Sequence, residues 1–188
     1  QARTEFDRVD PMEVIATADE IEALLGQKPE AVYLLFPEDR RFPVRMTDDL
    51  PLRWMNSAAT PSFQGSARPA EFYTFQVGVY AARQKVEHLT VTFADLKSRS
   101  GQIIPASAMR CFNLTGTNWL GQEFARSVSV PQSKVQALWF GVHVPEQATP
   151  DEYIGRLRFL AEGLPHTPLE LRLDITGEPL ADGGDGDL

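Results

Sequence analysis

The stretch EFYTFQVGVYA, from Glu71 to Ala81, decides the fold class of this chain. Its aromatic residues and valines alternate in a way typical of a β-strand, whose successive side chains point to opposite faces. The pattern therefore predicts a long strand with two distinct faces. One face carries Tyr73, Phe75, Val77 and Val79, and the other carries Phe72, Thr74, Gln76, Gly78 and Tyr80.

Shorter segments with strand patterns follow along the rest of the chain. Turn segments rich in glycine and proline separate them, and no helical period interrupts the series, which argues against a parallel βαβ architecture. We therefore predict a mainly β protein, an antiparallel two-sheet β-sandwich of immunoglobulin-like or jelly-roll-like type. The segments are HLTVTF (88–93), AMRCFNL (108–114), EFARSVSV (123–130), VQALWFGVHV (135–144), YIGRLRFLA (153–161) and LELRLDI (169–175).

The N-terminal region carries the one convincing helix pattern. Asp10 can cap the helix and Pro11 can occupy its first position, while apolar residues from Ile15 to Leu25 recur at helical spacing. This predicts one α-helix over residues 11–25, with Gly26 at its C-cap. Two strands are then expected, over 31–36 and 41–46, with Pro43 favouring an edge position for the second.

Composition bounds the class of protein. The chain has 188 residues, of which 43% are hydrophobic, enough for a real core. A net charge of -8 argues against a nucleic-acid partner, since phosphates require a concentrated basic surface. No apolar run is long enough to predict a membrane span. The chain begins with Gln1, which suggests a processed or engineered product, and a removed export signal is one plausible cause.

No residue pattern indicates a metal, a cofactor or a nucleophile. Cys111 is the single cysteine, lies in a strand pattern, and is best interpreted as a buried, inert thiol. His88, His143 and His166 lie far apart and lack ligand spacing. No glycine-rich phosphate loop, GxSxG or HExxH motif is present. We therefore expect neither a metal nor a cofactor.

Adjacent acidic residues occur in two turns. Glu38 and Asp39 stand beside Arg40 and Arg41, which would keep both carboxylates ionised, and this is unsuitable for a general acid. A structural ion-pair cluster is the favoured interpretation, and the same holds for the turn at Asp151. Glycosidase carboxylates have no short universal signature, so these observations leave an enzyme possible without supporting one.

The tryptophans are the candidates for ligand or partner contacts. Trp139 alternates within an apolar strand and is predicted to be a core residue. Trp54 and Trp119 lie in irregular segments, where packing within this domain or against another is favoured over stacking on a sugar. The candidates for carbohydrate or interdomain contact are Leu52, Trp54, Met55, Phe63 and Trp119.

Four stretches together resemble the N-terminal β-sandwich domain of glycoside hydrolase family 123 and its uncharacterised relatives. The resemblance runs from about Tyr33 to the end of the chain, and family members commonly have glycine where this chain has Ala70 or Asp151. The stretches are YLLFPEDRRFPVRM (33–46), ARPAEFYTFQVGVYA (67–81), CFNLTGTNWLGQEF (111–124) and VQALWFGVHVPEQATPDEYIGRLRF (135–159).

The resemblance implies an accessory role. Such enzymes join the sandwich to a C-terminal TIM-barrel domain that cleaves N-acetylgalactosamine-type glycosides with an acidic pair in the barrel, assisted by the sugar's acetamido group. None of that pair maps onto this chain, so we expect no catalysis and no catalytic residues here. The resemblance also implies an exported, bacterial parent protein. The alternative is a carbohydrate-binding module that contacts glycan through exposed aromatic residues.

The domain organisation follows from these patterns. We expect an N-terminal segment over 1–30, a β-sandwich over 31–177, and a linker over 178–188 that leads to a catalytic domain absent from this chain. The terminal stretch LADGGDGDL (180–188) could instead form a calcium loop, but it lacks the further ligands that this cation requires. A linker or a frayed end is therefore favoured.

Overall fold

Two β-sheets pack face to face in the computed structural model, which describes residues 12–56 and 62–180. A small two-stranded ribbon projects from this pair of layers. The predicted mainly β sandwich with an N-terminal helix is confirmed. Residues 181–188 of the linker predicted over 178–188 lie outside the described residues, as does the predicted helix start at Pro11.

The first sheet has four strands, and all neighbouring pairs are antiparallel. The long strand predicted from Glu71 to Ala81 lies inside this sheet, where both of its edges are hydrogen-bonded. In spatial order the strands are β1 (Leu34–Asp39), β3 (Phe72–Tyr80), β11 (Val135–His143) and β7 (Met109–Cys111).

The second sheet has seven strands and one departure from the antiparallel expectation. Its edge strand β2 pairs with β13 in parallel. The main path is β10 (Val128–Val130), β4 (Val86–Phe93), β12 (Asp151–Leu160), β13 (Thr167–Ile175) and β2 (Ser62–Ala67), with β5 (Leu96–Ser98) beside β12 and β6 (Ile103–Ile104) beside β5. The separate ribbon pairs β8 (Thr115–Thr117) with β9 (Glu123–Ala125), and a short 3-10 helix spans Ala106–Ala108.

The main core lies between the two sheets and is rich in aromatic rings. Phe75 of β3 stacks on Phe63 of β2 at 4.7 Å and on Phe140 of β11 at 5.1 Å, measured between ring centroids. Phe140 in turn meets the ring of Phe159 edge-on at 6.1 Å. Because these four rings come from both sheets, their burial ties the two layers together.

The N-terminal helix is shorter and begins later than the sequence pattern predicted. Helix α1 spans Ala18–Gln27, and Thr17, rather than Asp10, is its N-cap. The Thr17 hydroxyl accepts the Glu20 N–H, while the Glu20 carboxylate accepts the Thr17 N–H at 2.8 Å. This reciprocal capping box satisfies two amides that would otherwise lack partners, and it fixes the helix start.

The segment from 41 to 46, predicted as a strand, is instead an irregular loop held by one buried side chain. The Gln76 amide donates to the Phe42 carbonyl at 3.0 Å and accepts from the Val44 N–H at 2.8 Å. Gln76 is fully buried in β3. Its side chain therefore supplies to the loop the pair of bonds that a neighbouring strand would have supplied.

A second, smaller core covers the outer face of the four-stranded sheet. Helix α2 (Leu52–Asn56), which the sequence pattern did not predict, places Trp54 over this face. The Trp54 ring stacks on Phe36 with centroids 4.4 Å apart and planes 1° from parallel. Its indole N–H donates to the Glu38 carboxylate at 3.0 Å, and Gly78 lies directly beneath the ring. Strand β3 is therefore buried on both faces.

We expect Gly78→Ala to lower the free energy of unfolding by about 1–3 kcal/mol, the usual penalty for overpacking a core. A Cβ at this position would lie 2.3 Å from a ring carbon of Trp54, which is fully buried and has little room to move. The matched control is Gly26→Ala in α1, where no atom lies within 4 Å of the new Cβ and alanine favours the helix. Urea denaturation measures both, and an unchanged midpoint for Gly78→Ala would contradict this packing.

A second expectation concerns Ala70, whose φ of 65° lies in the left-handed region that favours glycine. Ala70→Gly should raise the free energy of unfolding by up to about 1 kcal/mol, because relief of about 1–2 kcal/mol of strain outweighs about 0.4–1 kcal/mol of added chain entropy. The control is Ala94→Gly, an exposed position outside the left-handed region, which should lose stability. Thermal denaturation measures the stability of both variants. A loss of stability in Ala70→Gly as well as in the control would contradict this expectation.

Candidate functional site

The tip of the β8–β9 hairpin is the most exposed apolar feature among the described residues. Trp119 is 90% exposed and its neighbour Leu120 is 57% exposed. Large apolar side chains at a surface are ordinary when they stand singly, but two adjacent ones at a projecting tip form a site where burial would release free energy. We refer to residues 118–122 as the hairpin tip.

The hairpin tip is held in one conformation by hydrogen bonds from Asn118. Its side-chain oxygen accepts from the N–H groups of Leu120 at 2.9 Å and Gln122 at 3.0 Å. Its backbone N–H donates to the Gln122 carbonyl at 2.9 Å, and its carbonyl accepts from Gly121 at 3.0 Å. Gly121 has a φ of 77°, which closes the turn. The chain therefore presents Trp119 on an ordered turn.

A groove of about 550 Å³ lies beside the ribbon that carries this tip. Within the ribbon, the Phe124 ring covers Gly116, where an added Cβ would lie 3.1 Å from the ring. The guanidinium of Arg126 lies 5.3 Å from the centre of the same ring. These contacts stabilise the ribbon outside the sandwich. The groove is lined by Arg110, Thr115, Gly116, Thr117, Glu123, Phe124 and Ala125.

An aromatic pair on the outer face of the four-stranded sheet was not anticipated from the sequence. Phe72 and Phe112 have ring centroids 6.0 Å apart, and the Arg110 guanidinium lies 5.4 Å from the Phe72 ring. Both rings sit over Gly141, where a Cβ would be 2.3 Å from Phe72. Phe112 is 39% exposed. The alternation of β3 placed Phe72 on this face, but it gave no sign that Phe112 would lie next to it.

The five predicted contact residues do not form one surface. Trp54 and Phe63 are buried, so their assignment as surface contacts is corrected: Trp54 belongs to the second core and Phe63 to the main core. The physical reason is that each ring stacks on another ring of the same chain, Phe36 and Phe75 respectively. Leu52 and Met55 are half-buried on α2, and Trp119 stands apart on the hairpin tip.

The carboxylates of the FPEDRR turn are engaged in structural bonds. Glu38 is buried and accepts from Arg53 at 2.9 Å as well as from Trp54. Burial acts to raise the pKa of Asp39, but hydrogen bonds from the Arg41 backbone and side chain overcome it, so the pKa lies below its ordinary value. A general acid needs a raised pKa, so this arrangement does not fit that role.

The second acidic turn behaves in the same way. Asp151 accepts from the Ser100 N–H at 3.1 Å and from the Glu152 N–H at 2.8 Å, and these bonds hold its pKa below the ordinary value. The carboxylate therefore orders the turn that begins β12. Asp151 is not among the described residues with positive φ, so the glycine common at this position in the resembled family is not required here by the backbone.

No titratable cluster in the described part of the chain suggests metal or thiol chemistry. Within residues 12–56 and 62–180, no group of three or more histidine, cysteine, aspartate or glutamate residues could hold a metal ion. Cys111 is buried in β7, and burial raises the pKa of its thiol to about 11. A thiol with that pKa is almost wholly protonated at neutral pH and is a poor nucleophile.

Comparisons with known proteins show a likeness of fold. No protein-family model matches the chain, and no curated protein matches it in sequence. Among solved structures, a family 123 glycoside hydrolase from Clostridium perfringens, described in connection with glycolipid glycan hydrolysis, matches with a TM-score of 0.50 and 14% identity. The matched region covers 62% of this chain and 23% of the hydrolase, so the shared sandwich is a minor part of that enzyme.

Weaker matches are other β-rich domains. A PapD-like domain of human CEP192 matches with a TM-score of 0.40 and 14% identity, over 62% of this chain and 82% of that domain. A DUF4426 family protein from Pseudomonas aeruginosa matches with a TM-score of 0.36 and 10% identity, over 79% of this chain and 91% of that protein. Separately, none of the helices in the described residues is long and apolar enough to span a membrane.

The contrast between two tryptophans gives a test of the site. Trp54→Ala should lower the free energy of unfolding by about 3–5 kcal/mol, since it removes a buried ring and leaves a cavity. Trp119→Ala should change it by less than about 0.5 kcal/mol, as expected of an exposed side chain. Urea denaturation followed by circular dichroism measures both. Comparable losses in the two variants would show that the hairpin tip packs against the body of the protein.

Proposed function

We propose that this chain is a non-catalytic accessory β-sandwich domain of a larger glycoside hydrolase of the N-acetylgalactosaminidase type. The observation that carries the proposal is the match between this sandwich and a minor part of a family 123 hydrolase. The four stretches of sequence resemblance support the same parent family.

The chemistry of the described residues is consistent with a supporting role. The carboxylates of both acidic turns serve as hydrogen-bond acceptors for neighbouring groups, and the pKa values of Asp39 and Asp151 are lowered. Hydrolysis of a glycoside requires an acid that stays protonated near neutral pH and a second group that stabilises the developing positive charge. In the proposal, the missing catalytic domain supplies both.

The proposed partner is a TIM-barrel domain that follows this one in the parent protein, which is exported to the periplasm, the cell surface or the medium. The side chains we propose for the interdomain contact are Leu52 and Met55 of α2. This chain leaves both half-buried, and they lie on the layer that covers the four-stranded sheet. Contacts between domains of one chain typically bury about 600–1,500 Å², so these two residues would form only part of the interface.

Glycan binding is the second candidate function, and the exposure of Trp119 favours it. Only this one of the predicted aromatic contacts is accessible, because Trp54 and Phe63 are core residues. An accessory domain and a binding module are compatible roles, since the first concerns a neighbouring domain and the second concerns the hairpin tip.

The first test is enzymatic. The isolated chain should not hydrolyse aryl N-acetylgalactosaminides above the background of a mock purification, because both candidate acidic turns hold their carboxylates in structural bonds. Glu38→Gln and Asp39→Asn provide the matched controls. Hydrolysis that co-purifies with the chain and is abolished by either substitution would overturn the proposal.

The second observation concerns the context of the domain. The reading frame that contains this chain should continue beyond Leu188 into a domain with alternating strands and helices, with neighbouring acidic residues at a strand end. A stop codon directly after Leu188 would remove the proposed catalytic partner from the same chain.

A further inference from the structure

The exposed tryptophan at the hairpin tip has no role in holding the fold together. With 90% of its surface in contact with solvent, Trp119 makes almost no packing contacts. An exposed indole is unfavourable in water, and covering it would release free energy. A residue of this kind on an ordered turn is therefore typical of a contact made with another molecule.

The conformation of the tip is suited to binding. The bonds from Asn118 to Leu120, Gly121 and Gln122 hold the backbone on both sides of Trp119 before any ligand arrives. A preorganised turn loses less conformational entropy on binding than a flexible loop does. The indole has only two rotatable side-chain bonds, which lowers that cost further.

The segment that carries the indole favours one class of ligand, although Arg110 and Glu123 line the adjoining groove. From Asn113 to Gln122 the chain carries no charged side chain, although charged residues make up 23% of the whole sequence. The polar groups in this segment are hydroxyls and amides. Such groups match a neutral ligand rich in hydroxyls, whereas an anionic membrane or an acidic partner would be met by lysine and arginine.

We propose that the hairpin tip is a binding site for a neutral pyranoside glycan, whose apolar ring face stacks on the Trp119 indole. The Thr117 hydroxyl and the side-chain amides of Asn118 and Gln122 are the hydrogen-bonding groups closest to it in sequence. The choice of a glycan rests in part on the proposed function, since that function places the chain beside a glycan-cleaving domain. The exposure of Trp119 and the absence of charged residues from segment 113–122 are independent of the proposed function.

The experiment titrates the whole chain with neutral saccharides. The probes are methyl N-acetyl-β-galactosaminide, chitotetraose, laminarihexaose and cellohexaose, each up to about 10 mM, because a single stacked ring gives only weak affinity. Two-dimensional NMR follows the backbone amides of residues 118–122 and the indole N–H of Trp119. We expect saturable shifts confined to these signals for at least one probe.

Variants then locate the site. Trp119→Ala should weaken binding by at least about tenfold, and Trp119→Phe should weaken it less, since a smaller ring still stacks. Ile103→Ala is the matched control, because Ile103 is 51% exposed on β6 of the seven-stranded sheet, away from the β8–β9 ribbon in the strand order. That variant should bind as the unaltered chain does. The NMR spectra of the variants also report whether each remains folded.

Three results would overturn the proposal. They are the absence of shifts with every probe, equal binding by Trp119→Ala, and Trp119-dependent binding to phosphatidylcholine–phosphatidylglycerol vesicles in place of sugars. None of these results touches the accessory role, which depends on the hydrolysis assay and on the sequence beyond Leu188. Conversely, hydrolysis by the isolated chain would contradict the accessory role, and it would not change the interpretation of the binding experiment.

Discussion

The seating of Trp54 on the outer face of the four-stranded sheet is the contact on which the rest of the structure depends. The indole stacks on Phe36, lies over Gly78 and donates to Glu38, so one side chain joins α2 to β1 and β3. Without this cover, one face of β3 would expose apolar surface to water. The sandwich therefore has a third, partial layer, formed by residues of the 12–56 segment.

Polar groups inside that layer are satisfied by one another, and this sets its geometry. Glu38 accepts from both Arg53 and Trp54, and the Arg53 guanidinium lies 3.9 Å from the centre of the Phe42 ring. Gln76 binds the backbone on both sides of Pro43. A buried polar group left without a partner would cost about 1–3 kcal/mol, so each of these bonds restricts where the covering segment can lie. The bonds to Glu38 also engage one carboxylate of the Glu38–Asp39 pair, which could be mistaken for a catalytic pair from the sequence alone.

The sequence predicted the regular parts of the fold well, because burial on a strand leaves a period of two. Strands β3, β11, β12 and β13 all lie within predicted strand segments or overlap them closely. The covering layer was predicted poorly, since its position depends on single side chains such as Gln76 and Trp54 rather than on any period. Helix α2 has only five residues, too few to show a helical pattern. For α1, the sequence predicted Asp10 as the cap, whereas the reciprocal box of Thr17 and Glu20 defines the start.

Two tryptophans of this chain show why residue type alone could not locate a site. Trp54 and Trp119 both lie in irregular, proline-, glycine- or asparagine-containing segments, and the same alternatives applied to each. Their neighbours in the structure differ. Trp54 packs against Phe36 and Gly78 and donates to Glu38, whereas Trp119 lies on a turn that is held by its own hydrogen bonds. A glycine on a neighbouring strand thus marks a place where an aromatic ring packs, as Gly78 does for Trp54. By that criterion Phe72 and Phe112 over Gly141 belong with the packed rings. At the hairpin tip, in contrast, Trp119 is 90% exposed, and a bound ligand would cover the ring that the fold leaves in solvent.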